Sequence, residues 1–208
     1  DYHAEGSVFI HSGMVLNTAS QIIKRFPDDK DKIIIMLGAL CHDFGKPSTT
    51  KISDKGFPVQ PGHEEAGVKP TKEFLDKLTN DVDIVNIVPW IVEHHLLPMH
   101  LHRANAGPSS FRRIINRYGL MKLELLAAVS EPDVTGRFHK INGELVRPSG
   151  EEINWFREKI KEATKKFGVT QEGKIKPLVT GDDLISIGFK EGPEIGKVLR
   201  EIKEQQEE

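Results

Sequence analysis

The chain has 208 residues, of which 38% are hydrophobic and 29% charged, and its formal net charge is −2. These values are ordinary for a globular protein with one good-sized domain and a small appendage, and they exclude a global field that would draw it to nucleic acid or membrane. The single cysteine, Cys41, excludes an intramolecular disulfide and a cysteine-based zinc cluster, and it fits a reducing, cytoplasmic compartment. The apolar runs fall short of the ~18 residues of a spanning helix, so no membrane partner is expected.

The first hundred residues carry mostly helical periodicity. The chain begins Asp1-Tyr2-His3, without an initiator methionine or a signal-peptide pattern, and we expect it to be part of a longer protein or a processed form. Pro70 and Pro89 are expected to kink or shorten their helices. The predicted elements are helices at residues 8–26, 31–43, 64–78 and 82–95, with a small β-hairpin within residues 48–62 around the turn Asp54-Lys55-Gly56.

The second hundred residues continue the helical pattern after a polar interruption. Ser109 or Ser110 is expected to cap a helix, and the irregular residues 136–150 suggest a domain boundary. The predicted helices are at residues 109–118, 121–130, 151–167, 182–188 and 193–206, with Gly168 as a stop and Thr180-Gly181-Asp182-Asp183 as a capped entry. We therefore predict an all-α helical bundle with a hairpin insertion, residues 1–148, followed by a C-terminal helical segment, residues 149–208.

Three places on these helices offer metal-ligand types beside apolar residues. His11 falls on the apolar stripe of its helix, the pair His42-Asp43 ends a strongly apolar helix, and Asp133 follows another. Each has a structural reading: a hydrogen-bonded core histidine, a histidine at a helix C-terminus and a turn aspartate. Together they bring imidazole and carboxylate groups from several helices, a set that suits Zn, Mn, Fe, Co or Ni.

Further histidines extend this constellation. His63 stands at the head of its predicted helix, and His94 and His95 end another. Helical periodicity does not choose between His94 and His95, because Pro89 disturbs the phase. If they join the first set, a second ion about 3.5–4 Å from the first becomes feasible, bridged by Asp43. Histidines that donate hydrogen bonds or act as a general acid are the alternative.

Several segments, taken in order, resemble one family. The segments are His3-Ala4-Glu5-Gly6-Ser7-Val8 leading to His11, Ala39-Leu40-Cys41-His42-Asp43-Phe44-Gly45-Lys46, Gly62-His63-Glu64-Glu65-Ala66-Gly67, Asp133-Val134-Thr135-Gly136-Arg137, Thr180-Gly181-Asp182-Asp183-Leu184 and Gly192-Pro193-Glu194-Ile195-Gly196. They resemble the HD superfamily of metal-dependent phosphohydrolases, and within it the HD and C-terminal regions of bacterial tRNA nucleotidyltransferases, the multifunctional CCA-adding proteins. The Gly-Ser and paired-Asp motif of that family's nucleotidyltransferase head does not occur in these 208 residues, so CCA addition is not expected from them.

The resemblance implies a specific site. It implies one or two divalent ions (Ni, Co, Mn, Zn, Fe or Mg), with a first ligand set of His11, His42, Asp43 and Asp133. A second set would comprise His63 with His94 or His95, and catalytic roles would fall to Asp43, Lys46, His63 and His95. The family tends to carry an arginine two places after its histidine, where this chain has Leu97. Alignment on Pro98 favours His95.

A local excess of positive charge follows this site. Between His94 and Leu123 there is no aspartate or glutamate, which suits a nucleotide or RNA backbone, but the wet face of an amphipathic helix explains the arginines equally well. The candidate phosphate-binding residues are Lys46, Arg103, Arg112, Arg113, Arg117 and Arg137, with Lys122 beside them.

The predicted function is hydrolysis of a 2′,3′-cyclic phosphodiester or a phosphomonoester on a nucleotide or RNA end, a substrate class that the resemblance implies. One alternative is a non-catalytic tRNA- or RNA-binding body with a structural metal. A metal-dependent oxygenase on the same scaffold is another, which Lys46 and the tail disfavour. The sequence leaves the oligomeric state open.

Overall fold

Helices dominate the residues that the computed structural model describes, 7–141 and 143–207. The helices are α1 (Val8–Ile22), α2 (Asp29–Cys41), α3 (Lys46–Thr49), α4 (His63–Ala66), α5 (Val68–Leu75), α6 (Val82–His94), α7 (Leu97–Arg103), α8 (Pro108–Tyr118), α9 (Leu120–Thr135), α10 (Glu151–Phe167), α11 (Gly181–Ser186) and α12 (Pro193–Glu207). Two antiparallel hairpins, β1 (Lys51–Ile52) with β2 (Pro58–Val59) and β3 (His139–Ile141) with β4 (Glu144–Val146), interrupt them. The predicted all-α class with a hairpin insertion is confirmed.

Side-chain caps explain where several of these helices begin. Ser7 accepts a hydrogen bond from the Ile10 amide at 3.2 Å, and Asp28 accepts one from the Lys30 amide at 2.8 Å. Such caps satisfy amides that have no partner within the helix. Thr180 forms a complete capping box at the start of α11, as the sequence predicts. Nowhere in the described residues is a helix both long and apolar enough to cross a membrane.

The chain divides into two compact units. The first contains Asp1–Ala104 and Glu124–Phe156, and the second contains Asn105–Leu123 and Arg157–Glu208. These units do not follow the sequence boundary at residue 148, because α8 groups with the C-terminal segment. The assignment of residues 1–148 and 149–208 as two functional domains stays a prediction.

The core of the first unit forms around α2, which packs against α1 and α6. Gly38 permits close packing, since a Cβ there would lie 2.9 Å from Val129 of α9 and 3.4 Å from Ile91 of α6. Real Cβ atoms do not approach other atoms so closely, and an interior at organic-crystal density has no slack to move aside. Helices α6 and α9 therefore both approach the α2 backbone at Gly38. Candidate histidine and aspartate ligands lie at the ends of these three helices.

The second unit has its own small core. Phe111 and Ile115 of α8 are buried, as are Ala163 of α10 and Leu184 of α11. The Asn116 side chain accepts a hydrogen bond from the Ile175 amide at 3.0 Å, which fastens the loop after α10 to α8.

Several local expectations were wrong. Helix α8 begins at Pro108 after Gly107, which makes no side-chain cap, so neither Ser109 nor Ser110 is the cap; proline suits the first turn because its missing amide hydrogen is not needed there. Helix α6 continues through Pro89. The predicted helix at 64–78 is shortened, as expected, but its division lies at Gly67 rather than at Pro70.

Further along the chain, α7 and the β3–β4 hairpin were not predicted. Helix α9 continues past Ser130 through Pro132, and Asp133 therefore lies in its last turn rather than after it.

Candidate metal centre

The first half of the candidate centre joins α1, α2 and α9. His11 lies on α1, His42 directly follows α2, and Asp133 lies in the last turn of α9. All three are buried. The His11 and His42 Nε2 atoms lie 3.3 Å apart, and Asp133 Oδ1 lies 3.1 Å from the first and 3.6 Å from the second. Three helices thus aim ligand atoms at one point.

The second half lies on the other side of Asp43. His63 begins α4 and His95 directly follows α6, and their Nε2 atoms are 3.3 Å apart. Asp43 Oδ1 lies 3.6 Å from His63 Nε2, while its Oδ2 lies 3.2 Å from His42 Nε2. Two ligand groups within 4.8 Å result, His11-His42-Asp43 and Asp43-His63-His95. Asp43 belongs to both.

Backbone carbonyls orient three of the imidazole rings. The Nδ1 atoms of His42, His63 and His95 lie 2.7–2.8 Å from the carbonyl oxygens of Ala39, Gln60 and Val92, respectively. A carbonyl oxygen only accepts, so each Nδ1 carries the proton. In the neutral ring the lone pair is then on Nε2, the atom that faces the centre.

The facing rings of His63 and His95 test whether the residues fit a metal. Burial, reinforced by the positive charge at His42, lowers the pKa of His95 to about 4, so this ring is neutral near pH 7. Its Nε2 therefore carries a lone pair and faces the Nε2 of His63 at 3.3 Å. A cation bound at this place would accept that lone pair, and the set of imidazole and carboxylate donors suits divalent ions. The residues fit.

The carboxylates of the centre are held in their ionised form. Burial alone would raise the pKa of Asp43, but His42 and Lys46 hold it well below its usual value. Burial would likewise raise the pKa of Asp133, but the His11 hydrogen bond and the nearby positive charges, Arg137 among them, hold it low. Burial would lower the pKa of His42, yet the two aspartates raise it to about 9. The aspartates therefore stabilise positive charge at this place.

Lys46 and Arg137 contribute positive charge beside the ligands. Lys46 Nζ lies 2.7 Å from Asp43 Oδ2, and its side chain is almost completely buried. Arg137, half-buried two residues beyond α9, is close enough to Asp133 to affect its pKa. The two residues therefore balance the aspartates electrostatically, one at each end of the centre.

Gly45 brings the second half into place. A Cβ at Gly45 would lie 2.0 Å from the His63 carbonyl oxygen and 2.6 Å from the Gly67 amide nitrogen. Only a residue without a side chain permits this approach. The sequence offered a signal, since Gly45 follows His42-Asp43 in one of the family-like motifs, but a motif does not say which backbone the glycine meets.

Ser130 is a positioning residue that sequence analysis missed. Its buried hydroxyl donates to the carbonyl oxygen of His95 at 2.7 Å and lies 2.9 Å from that of Leu126. This contact joins α9 to the residue after α6. No local signal distinguishes Ser130 from any other serine near a helix end.

His94 lies apart from both ligand groups. Its ring stacks on Trp90 at 4.8 Å between centroids, and its Nδ1 donates to the Trp90 carbonyl oxygen at 2.9 Å. Of the neighbouring pair, the structure brings His95 to the centre. His3 and Glu5, from the N-terminal motif, lie outside the described residues.

The basic residues do not form one set. Arg103 is exposed in the first unit, and Arg113 and Arg117 are exposed on α8 of the second. Arg112 departs from the expected wet face, because its guanidinium is buried 5.2 Å from the centre of the Phe167 ring. Lys122 is half-buried. Phosphate binding at these positions stays a prediction.

The comparison with protein families agrees with this geometry. Residues 8–136 match the family described as HD domain, a span that contains the ligand-bearing helices α1, α2, α6 and α9. The chain belongs to the HD domain family, whose members are generally metal-dependent hydrolases.

Two curated relatives share the same name. A Multifunctional CCA protein of Pasteurella multocida (strain Pm70) is 33% identical over 141 residues, 65% of this chain and 32% of the relative. A Multifunctional CCA protein of Actinobacillus pleuropneumoniae serotype 5b (strain L20) is 27% identical over 161 residues, 74% of this chain and 36% of the relative. The chain thus spans about a third of the length of the curated relatives it matches. No solved structure matches the chain.

Proposed function

We propose that the chain is a metal-dependent phosphohydrolase that cleaves a 2′,3′-cyclic phosphodiester or a phosphomonoester on a nucleotide or RNA end. It would act as the HD portion of a tRNA nucleotidyltransferase-like protein. One observation carries the proposal: two pairs of imidazole nitrogens, each 3.3 Å apart, flank a shared carboxylate, Asp43.

The ligand residues divide into two sets. His11, His42, Asp43 and Asp133 would hold one divalent ion, and Asp43 with His63 and His95 would hold a second. When bound, such ions polarise phosphoryl oxygens and acidify water, the two functions that phosphoester hydrolysis needs. The low pKa values of Asp43 and Asp133 keep both carboxylates ready to bind a cation.

Three further side chains would act on the substrate. Lys46 Nζ, now paired with Asp43, would contact the phosphate and offset its charge. His63 is the more exposed of the two imidazoles in its half, with 12% of its side chain accessible. In the alternative with one ion, where His63 binds no metal, a protonated His63 would pass a proton from Nε2 to the leaving oxygen. Arg137 would keep Asp133 ionised while the phosphate binds.

The substrate class rests on relatives rather than on geometry. The curated relatives are named Multifunctional CCA protein, and the sequence motifs resemble tRNA nucleotidyltransferases. We therefore propose a nucleotide or tRNA end as the partner, with Arg103, Arg113 and Arg117 as exposed contacts for its backbone.

Turnover by the purified chain tests the proposal. We expect hydrolysis of adenosine 2′,3′-cyclic phosphate and of bis-p-nitrophenyl phosphate after addition of Ni, Co, Mn, Zn, Fe or Mg, each assayed separately. His42→Ala should abolish both activities. His100→Ala, which removes an exposed histidine of α7, is the matched control and should keep them.

One result would favour the alternative function. Absence of turnover with every ion, together with salt-dependent tRNA binding, would assign the chain as a non-catalytic RNA-binding body with a structural metal. Equilibrium dialysis distinguishes this case from a misfolded preparation, because a structural metal would still bind.

A further inference from the structure

An apolar groove adjoins the candidate centre. It has a volume of about 570 Å³ and is lined by the first turns of α1 and by residues at and after the end of α2, with Phe9, Leu16, Leu40 and Phe44 among its walls. This volume is typical of small-molecule sites.

The groove is continuous with the centre because Asp43, which both ligand groups share, also lines it. Pro47, next to Lys46, lies in the same wall. A molecule whose phosphate reaches Asp43 and Lys46 would therefore place its neighbouring part in the groove.

The first turn of α1 is apolar on a side that the core does not use. Phe9 is 87% exposed and Ile10 50% exposed, whereas His11 and Val15 on the opposite side are buried. Packing among the described residues of the first unit therefore does not explain these exposed side chains. Contiguous exposed apolar surface beside a polar centre is typical of a ligand site.

Resting on the proposed function, we propose that this groove binds the nucleobase of the substrate, with Phe9 and Phe44 as its stacking surfaces. Phe44 is held by an edge contact with Phe74, at 5.6 Å between ring centroids, while Phe9 is 87% exposed. Among the described residues that line the groove, Asp43 is the one ionised side chain. The walls thus suit a flat, uncharged ring rather than a second phosphate.

The chemistry of the walls also sets the selectivity. Apart from Asp43, the side-chain hydrogen-bonding group in the described lining is the Ser12 hydroxyl. Stacking on aromatic rings tolerates every base, because each has a π-face. We therefore expect preference for a substrate with a base over one without, and little discrimination among the four bases.

Two substrates with the same reacting group test the groove. Adenosine 2′,3′-cyclic phosphate and glycerol 1,2-cyclic phosphate both contain a five-membered cyclic phosphodiester, but only the first has a base. We expect Phe9→Ala to lower the ratio of their kcat/KM values about tenfold, the usual scale of a lost stacking contact. Phe9→Tyr, which keeps an aromatic ring, should have a ratio close to the wild-type value. Phe57→Ala removes another exposed phenylalanine, which does not line the groove, and should leave the ratio unchanged.

A binding measurement separates this inference from the proposed function. In chelator-treated protein, saturation-transfer NMR with adenosine should show transfer to the base protons, and Phe9→Ala should reduce it. Base binding without turnover would support the groove and overturn the hydrolase. Turnover without a base preference would do the reverse. A wild-type dimer that Phe9→Ala converts to a monomer would assign the groove to a second copy and overturn the inference.

Discussion

The two halves of the candidate centre are built differently. His11, His42 and Asp133 lie on or directly beside long helices that contribute buried residues to the core. His63 instead begins the four-residue helix α4, and its position depends on a contact with Gly45. Among the described residues, the first ligand set also has two carboxylates, whereas the second has the shared Asp43. The first half should therefore bind a cation more tightly and tolerate local change better.

Removal of the shared carboxylate should have the largest effect, because it affects both halves. We expect Asp43→Asn to lower kcat/KM by at least about 1,000-fold, which corresponds to the several kcal/mol that metal catalysis supplies. The variant also leaves the buried Lys46 without its partner, and thermal unfolding should show a loss of stability. Asp54→Asn, in the exposed hairpin turn, is the control. Retention of a tenth of the activity would contradict the shared role.

Replacement of one histidine in each half should distinguish the two. We expect His42→Ala to lose the tighter ion and nearly all activity. His63→Ala should keep one ion and lose about 10–100-fold in activity, the scale of supporting residues around a metal. Ion content by mass spectrometry after dialysis, measured with activity, checks both results. Equal losses of metal in the two variants would show that the halves are equivalent.

A backbone change should affect the second half without removing a ligand. Gly45→Ala forces a Cβ against the His63 carbonyl oxygen, and we expect the free energy of unfolding to fall by about 1–3 kcal/mol, as for overpacked cores. Its ion content should resemble that of His63→Ala.

Gly13→Ala is the matched control for this change. A Cβ at Gly13 on α1 meets nothing within 4 Å, so alanine should stabilise the helix by up to about 1 kcal/mol. Chemical denaturation of both variants would reveal the opposite signs. If Gly45→Ala were as stable as wild type, the close contact would not determine where His63 lies.

The smallest effect should come from the surface of the first half. Arg25 pairs with Glu131 of α9 at 3.0 Å, but the arginine side chain is 61% exposed. Pairs of this kind contribute about 0–1 kcal/mol. Arg25→Ala should therefore change stability by less than about 1 kcal/mol, measured by urea denaturation, and should leave ion content unchanged. A larger loss would mean that this pair, rather than core packing, fixes α1 against α9.

The first half was largely foreseeable from sequence. Helical spacing places His11 on the same face as Val15 and Ala19, and all three are buried. The His42-Asp43 pair follows an apolar helix, as expected. Asp133 was expected after its helix but lies within it, because α9 continues through Pro132. Pro132 is a local signal for a helix end, but it does not report the tertiary packing that keeps the last turn of α9 helical.

The sequence did not predict the second half of the centre, which contains His63 and His95, to the same extent. His94 and His95 have equal standing in a periodicity argument, and only the packing of α6 directs His95 inward while His94 stacks on Trp90. Gly45 follows the His42-Asp43 pair closely, but its contact with His63 joins segments separated in sequence. Such contacts depend on the assembled backbone and have no local pattern.

The sequence by itself determined the helical class, the apolar faces and the ordered histidine and aspartate motifs, because periodicity and residue chemistry are local properties. Tertiary structure decided between alternatives that the sequence left open: Asp43 lies between two imidazole pairs. It also showed that the exposed side of α1 meets the same centre. Distances among residues far apart in the chain follow from how helices pack and where glycines let them approach.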